Sequence, residues 1–302
     1  MSILSGVFNI FTNTEAMRRR EKGLMDMARE ESRPDMRKVS LLLSLRVDIN
    51  ALDSEGNTML ILAARNGHME FVQALIEKGA KLDKWNYKYS SALGQAAVRG
   101  HTEIARLLLE KKATFDERDK DGYTNLTWAV VFGHTEIARL LIEKGANIDQ
   151  KAGPTTILDF AMDKNHVEIV NLLLEKGAEF EKENSYMQGG SLLTWAARRG
   201  HTETVRLLLA KGAKLIEKGS SGVENPLIDA AKQNNMEIVE MLIDAGASPD
   251  LKGKCTEDTA KRVAEIYQKK IKTVSVLPHA SDLGSDIKVF PPRDRTPSKP
   301  RL

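Results

Sequence analysis

Five histidines, each followed by a glutamate, are the residues of this 302-residue chain whose types and spacing could do chemistry. Imidazole and carboxylate groups bind metals and transfer protons, so a cluster of them would indicate a metal centre or an acid–base site. The intervals between His68, His101, His134, His166 and His201 are 33, 33, 32 and 35 residues. Ligands of one metal ion must lie within a few ångströms of it. The even spacing therefore predicts separate structural positions, and we expect no metal site.

The same interval recurs in the sequence around each histidine. GHMEFV begins at Gly67, and similar segments begin at Gly100, Gly133, Asn165, Gly200 and Asn234. A short apolar stretch such as TMLILAA precedes each of them, and a segment such as LIEKGAKLD follows. A fixed period of this length is typical of a solenoid, in which each repeat is one small structural unit.

Two short helices per unit are predicted from the residues at their ends. The first helix should begin after a side chain that can cap it, at Thr58, Ser91, Thr124, Thr156, Ser191 and Asn225. The second carries its glutamate in the first turn and should end at a left-handed glycine: Gly79, Gly145, Gly177, Gly212 or Gly246. Lys112 replaces that glycine in one unit, at an expected cost of about 1 kcal/mol. Because neither helix can bury its apolar face alone, the units must stack.

The period and these segments resemble the ankyrin-repeat family. The resemblance implies an all-α fold, an ankyrin-repeat solenoid of helix-turn-helix plus hairpin-loop units, over residues 22–272. Six clear repeats start near residues 56, 89, 122, 154, 189 and 223, with weak capping units at 23–55 and 255–272. Residues 1–21 are interpreted as an N-terminal extension and the proline-rich residues 273–302 as a disordered tail. The resemblance also implies that the histidines hydrogen-bond the loop between helices.

Several classes of protein are disfavoured by the composition. The 45 Lys and Arg nearly balance the 42 Asp and Glu, which argues against a nucleic-acid partner. The single cysteine, Cys255, stands in the N-cap position of the last unit and excludes a disulfide framework. No apolar run is long enough for a transmembrane helix, and no phosphate loop or nucleophile elbow is present. We therefore expect a cytoplasmic monomer that is not an enzyme and needs no cofactor.

The concave face of the array is the first candidate binding surface, because the resemblance implies a protein partner there. In family members the two residues before each Gly-His position face this surface, and the central pair here is Val131 and Phe132. We predict that this pair is an exposed hot spot with a charged rim. The rim consists of Arg99, Arg198 and Arg199, and Arg65 is a further partner-binding candidate on this face. The alternative is that Phe132 folds back into a contact between repeats.

The tips of the hairpin loops are the second candidate surface. Aromatic residues are concentrated there although they make up only 5% of the chain. The candidates are Trp85, Tyr87, Tyr123 and Tyr186. Trp128 and Trp195 occupy the same helical position as Leu62 and Phe160, so we interpret them as core residues.

One departure from the family pattern concerns stability. The histidine of the usual Thr-Pro-Leu-His opening is replaced by Ile61, Gly94, Thr127, Asp159, Thr194 and Ile228. The hydrogen bonds that this histidine makes in the family should then be missing. We predict lower local stability than in consensus arrays, with residues 183–191 and 217–225 as the soft loops, which hydrogen exchange would detect.

Two hypotheses for function follow. The first is a scaffold or adaptor that binds another protein through the concave face and hairpin tips, without catalysis. The second is a translocated bacterial effector or membrane-associated regulator, secreted rather than cytoplasmic. There residues 1–12, MSILSGVFNIFT, would give weak membrane contact. The alternative for that segment is that it folds onto the first repeat or frays.

Overall fold

Short helices with one apolar face can bury it only against their neighbours, and the chain does so by stacking its units in sequence order. The structure is a computed structural model. It describes residues 2–180, 191–215, 217–219, 222–249 and 256–275, with side chains described between 14 and 270 apart from the hairpin at 217–224. None of the described helices is long and apolar enough to cross a membrane. The predicted all-α solenoid is confirmed.

Two helices precede the regular units: α1 (Ser2–Arg29) and α2 (Met36–Ser44). Six helix pairs follow, named units 1 to 6: α3 (Met59–Arg65) with α4 (Met69–Glu77), α5 (Ala92–Arg99) with α6 (Thr102–Glu110), α7 (Asn125–Val131) with α8 (Thr135–Glu143), α9 (Ile157–Asp163) with α10 (Val167–Glu175), α11 (Leu192–Arg199) with α12 (Thr202–Ala210), and α13 (Pro226–Lys232) with α14 (Met236–Asp244). The last described helix is α15 (Glu257–Ser275). Two short antiparallel hairpins join units: β1 (Lys151–Ala152) pairs with β2 (Thr155–Thr156), and β3 (Glu217–Gly219) pairs with β4 (Gly222–Glu224).

The predicted helix ends are confirmed. All six proposed N-cap side chains accept a hydrogen bond from a backbone N–H in the first turn of their helix. The five glycines predicted at the ends of second helices have φ values between +79° and +97°. Lys112 has φ +66° at the equivalent position, so a residue with a Cβ occupies the left-handed region there. The expected cost of that lysine remains a prediction.

Replacement of the family's opening histidine does not leave every unit without hydrogen bonds at that position. In unit 3 the Thr127 hydroxyl accepts from the backbone N–H of Thr124 at 3.3 Å. In unit 4 Asp159 Oδ2 accepts from the backbone N–H of Thr156 at 2.8 Å. These are capping boxes, in which each helix start satisfies two donors at once. The expectation of missing bonds is therefore wrong for these two units.

The loops predicted to be soft are only partly described. Residues 183–190 lie outside the described residues, while 217–219 and 222–224 pair as β3 and β4. The prediction of low local stability stays a prediction.

The core runs through the array along the contacts between like helices. The first helices α3, α5 and α7 pack on one another in turn, because fully buried alanines such as Ala63, Ala96 and Ala129 allow close approach. Fully buried leucines of the second helices, Leu75 and Leu108 among them, extend this core. Burying one such leucine contributes about 1.5–3 kcal/mol, so each unit is stabilised mainly by its neighbours.

The ends of the array differ in detail from the expectation. Helix α1 begins at Ser2 and runs without a break through residue 22, where the array was expected to start. The side chains of residues 2–13 are not described, so membrane contact by this segment stays a prediction. At the other end α15 continues to Ser275, and residues 273–275 of the predicted tail are therefore helical. Cys255 and residues 276–302 lie outside the described residues.

The last helix covers the end of unit 6 much as predicted. Val263 is fully buried against the array, whereas the neighbouring Ala264 is exposed. The N-cap position belongs to Thr256, whose hydroxyl accepts from the backbone N–H of Thr259 at 3.3 Å. The cap position is thus one residue later than the Cys255 that the sequence indicated.

Candidate partner-binding groove

Three of the residues predicted to bind a partner converge on one groove. Arg65 ends α3, Arg99 ends α5 and Phe132 directly follows α7, and all three line an open cavity of about 600 Å³. Its other walls are formed by side chains of the surrounding loops and helix ends: Glu55, Asn57, Asn86, Lys88, Gln95, Val98 and His134. We name this cavity the central groove.

Hydrogen bonds between successive hairpin loops hold one side of the central groove. The buried Asn86 donates from its side-chain amide to Asn57 Oδ1 at 2.8 Å. Asn57 in turn donates from its side chain to Asp53 Oδ2 at 3.0 Å. Asp53 and Asn86 also close their own loops by accepting from backbone N–H groups two and four residues on. The loops are therefore fixed both locally and to each other.

The charge of Asp53 depends on the same hydrogen bonds. Burial by itself would raise the pKa of the Asp53 carboxyl. Donation from Asn57, Arg29 and the backbone of Glu55 outweighs burial, so the pKa lies below its usual value. The carboxylate therefore stays ionised and keeps accepting the bonds that close the loop.

Histidines of the following unit fix the helix side of the central groove. His101 Nε2 donates to the backbone carbonyl of Arg65 at 3.0 Å, and His134 Nε2 donates to that of Val98 at 3.2 Å. A Cβ placed on the left-handed Gly100 would lie 2.5 Å from the His134 ring. Each imidazole is thus packed over the glycine of the unit before it, and the ends of α3 and α5 are held from one repeat to the next.

The remaining histidines of the series repeat this contact. His68 Nε2 bonds to the carbonyl of Glu30 at 2.7 Å, His166 Nε2 to that of Val131 at 3.3 Å, and His201 Nε2 to Asn165 Oδ1 at 2.9 Å. The structural role that the resemblance implied is confirmed, with the refinement that each ring bonds the chain of the preceding unit. Among the residues that the structure describes, no group of three or more His, Cys, Asp or Glu side chains is placed to hold a metal ion.

Phe132 is 48% exposed and belongs to an aromatic stack at the edge of the groove. Its ring stacks on Trp128 with centroids 5.9 Å apart and on His134 with centroids 6.4 Å apart. Both partners belong to its own unit, which favours the exposed hot spot over a contact that folds back between repeats.

The interpretation of Trp128 as a core residue is wrong. It is half-buried, and its indole N–H donates to Asp119 Oδ2 at 2.9 Å, because an indole needs a partner for its polar end.

Tyr123 lies beside this stack rather than free at a hairpin tip. Its ring meets Trp128 edge to face at 4.9 Å and Phe160 of the next unit at 5.5 Å. The residue is half-buried, so its contacts support the array from unit 3 to unit 4. Such aromatic pairs contribute about 0.5–1.5 kcal/mol beyond burial, which gives Tyr123 a packing role.

The other residues predicted at the hairpin tips do not form one surface in the described part of the chain. Tyr87 is 69% exposed and lies over the left-handed Gly56 of the preceding loop, where an added Cβ would come within 2.7 Å of the ring. Trp85 is half-buried. Tyr186 lies outside the described residues. Of this group the structure brings only Tyr87 to the surface next to the loops that wall the central groove.

The remaining members of the predicted hot spot and rim have contacts of their own. Val131 is half-buried, and its carbonyl accepts the His166 bond already described. Arg198 donates to Asp229 Oδ2 at 2.9 Å. Arg199 donates to Asn165 Oδ1 at 3.3 Å and lies over the Trp195 ring, 5.9 Å from its centroid. Trp195 is buried, as predicted. Burial, together with the nearby Arg199 charge, lowers the pKa of His201.

Two charged residues of the groove were missed at the level of sequence. Glu55 and Lys88 form an ion pair at 3.4 Å across adjacent loops. Each stands two residues after the side chain that closes its loop, Asp53 or Asn86. That shared register was the available signal, because residues at one position of successive repeats lie side by side in a solenoid.

The comparisons with known proteins agree with this architecture. A family model for ankyrin repeats matches three overlapping segments, residues 24–119, 93–184 and 158–253. No curated protein sequence matches the chain at a significant level. The matched segments cover most of the chain and include every unit that walls the central groove. With its stacked helix pairs and its ladder of histidines between units, the chain belongs to the ankyrin-repeat family.

Proposed function

We propose that this protein is a scaffold or adaptor that binds another protein through the central groove and the adjoining hairpin loops, without chemistry of its own. Ankyrin repeats are generally protein–protein interaction modules. The observation that carries the proposal is the convergence of Arg65, Arg99 and the exposed Phe132 in one open groove. Aromatic and arginine side chains are the residues most often found at the energetic centre of an interface.

The side chains proposed to pair with the partner, those of Arg65, Arg99 and Phe132, are not among those that hold the array together. Inter-unit contacts are made by the histidine ladder, by buried alanines and leucines, and by the Asn57–Asn86 bond. Phe132 follows α7 and leaves about half of its surface in solvent. A large apolar side chain that is held in place but not covered supports a role in binding.

The test is affinity capture with the full-length chain, followed by mass spectrometry, with wild type and Phe132→Glu in parallel. We expect Phe132→Glu to reduce capture of the specific partner by about 30-fold or more, as loss of a hot-spot residue does. Circular dichroism and thermal unfolding should stay close to wild type, because the ring is outside the buried core.

Leu41→Glu is the matched control, since Leu41 is 63% exposed on α2 and the change in chemistry is similar. It should leave capture unchanged. Tyr87→Ser separates the groove from the hairpin tips. If Phe132→Glu captures the same partners as wild type and Tyr87→Ser does not, the partner binds the hairpin tips and the groove is not the binding surface.

A further inference from the structure

The central groove carries an excess of positive charge. The guanidinium groups of Arg65 and Arg99 are exposed at the ends of α3 and α5, and in the described part of the chain neither forms an ion pair. Lys88 and Glu55 neutralise each other at 3.4 Å. The groove is therefore left with two uncompensated positive charges.

The arginine of unit 5 that is equivalent to Arg65 is neutralised. Arg198 of unit 5 occupies the helix position of Arg65, and its Nε and Nη2 atoms both donate to Asp229 Oδ2, at 3.1 and 2.9 Å. The next unit after Arg65 supplies no such carboxylate, since Gly94 and Gln95 stand in that part of α5. Free guanidinium groups in a groove favour binding of carboxylates, which they bind with two parallel hydrogen bonds.

The apolar part of the groove is preorganised. Phe132 is held between Trp128 and His134 by stacking, while 48% of it stays exposed. A ring that is already fixed loses little conformational freedom when a partner side chain packs on it. The site thus combines a fixed apolar platform with two cationic groups in the neighbouring units.

We infer that the central groove binds an acidic peptide segment of the partner, whose Asp or Glu side chains pair with Arg65 and Arg99 while an apolar side chain packs on Phe132. The inference rests on the proposed function and adds the chemistry of the partner. The positive charges of Arg65 and Arg99 are complementary to an acidic segment, which is why we infer that occupant. The last twelve residues of the chain itself, PPRDRTPSKPRL, hold four basic residues and one acidic residue, so they do not supply this charge.

The test is selection of a random peptide library on the immobilised full-length chain at about 0.1 M salt, where charges within about 10 Å still interact. Selected peptides are then titrated by fluorescence anisotropy against wild type and variants. We expect peptides with net negative charge and one aromatic or aliphatic residue. Arg65→Gln/Arg99→Gln should weaken their binding at least about 10-fold, as should Phe132→Glu.

Lys78→Gln/Lys111→Gln is the matched control. These exposed lysines are the C-cap residues of α4 and α6, in the units that contain Arg65 and Arg99. The control therefore removes two positive charges from the same units but outside the groove. It should change affinity less than about 3-fold, and raising the salt should reduce wild-type binding and leave Arg65→Gln/Arg99→Gln less affected.

The two proposals fail in different ways. If the selected peptides depend on Phe132 but are neutral or basic and bind equally to Arg65→Gln/Arg99→Gln, the acidic-segment inference is wrong and binding in the groove stands. If no selected peptide depends on Phe132, both are wrong.

Discussion

The second helices and the central groove use arginine in opposite ways. On the second helices Arg106 lies between Glu103 of its own helix and Glu136 of the next unit, at 3.6 and 3.5 Å. Three units further along, Arg206 repeats this arrangement with Glu203 and Glu237. In the central groove Arg65 and Arg99 are exposed and form no ion pair within the described residues.

The contrast distinguishes two surfaces within one repeated sequence: a helix face with paired charges and the groove that we propose as the binding surface. Charges that alternate and pair along a helix face keep the array in solution and add little stability each. The arginines beside the exposed Phe132 ring make no such pairs among the described residues. A net charge of +3 for the whole chain hides this difference, because it averages the two surfaces.

The largest expected difference between the two regions is in the stability lost when a left-handed glycine is replaced by alanine. Gly100 beside the groove and Gly145 at the end of the second helix α8 are both left-handed, with φ +76° and +96°. A Cβ at Gly145 meets no atom within 4 Å, whereas one at Gly100 reaches the His134 ring at 2.5 Å. Gly145→Ala should cost about 1–2 kcal/mol, from the backbone alone. Gly100→Ala should cost about 1–3 kcal/mol more, from overpacking.

Urea unfolding of Gly100→Ala and Gly145→Ala measures the free energy of unfolding of each variant. Equal loss of stability in the two variants would show that the His134 ring moves aside at little cost. The histidines would then not hold the ends of the groove helices.

A gain of stability is expected at the end of one second helix. Lys112 adopts φ +66°, a conformation that glycine reaches at no steric cost. Lys112→Gly should therefore raise the free energy of unfolding by about 1 kcal/mol without changing partner capture. Lys111→Gly is the control, since Lys111 has φ −81° and gains no relief from glycine. A loss of stability in Lys112→Gly as large as in Lys111→Gly would contradict the assigned strain.

The smallest effect is expected on the paired charges. Arg106→Gln breaks both ion pairs of that side chain, yet many exposed pairs contribute nothing measurable and pairs within one helix contribute only about 0.3–0.5 kcal/mol. Stability should fall by less than about 1 kcal/mol, and peptide binding should not change. A loss of peptide affinity as large as in Arg65→Gln/Arg99→Gln would remove the distinction between the two surfaces.

Much of the fold could be predicted because its determinants are local. N-cap residues such as Thr58 and Ser91, first-turn glutamates and terminal glycines each define a helix end within a few residues. Their recurrence at one period then requires stacking. The continuous α1 and the helical residues 273–275 were not predicted, since no repeated pattern marks the array's ends.

The candidate site could be predicted only in part. Phe132, Arg65 and Arg99 were found because each stands at a fixed position before a Gly-His pair. Trp128 was misjudged, because helical register alone does not distinguish a core position from one that stacks on an exposed neighbour. Whether an arginine is paired depends on residues about 30 positions away, as Arg198 and Asp229 illustrate.

By itself the sequence determined the repeat and the two helices of each unit, because capping, helix period and glycine conformation act over short distances. The structural role of the histidines came from the resemblance to a known family. The tertiary structure alone decided which side chains of different units meet. It brings Glu55 to Lys88, and among the described residues it leaves Arg65 and Arg99 without an ion pair beside Phe132. The physical reason is that pairing, burial and stacking depend on distances between units, and stacking of the units sets those distances.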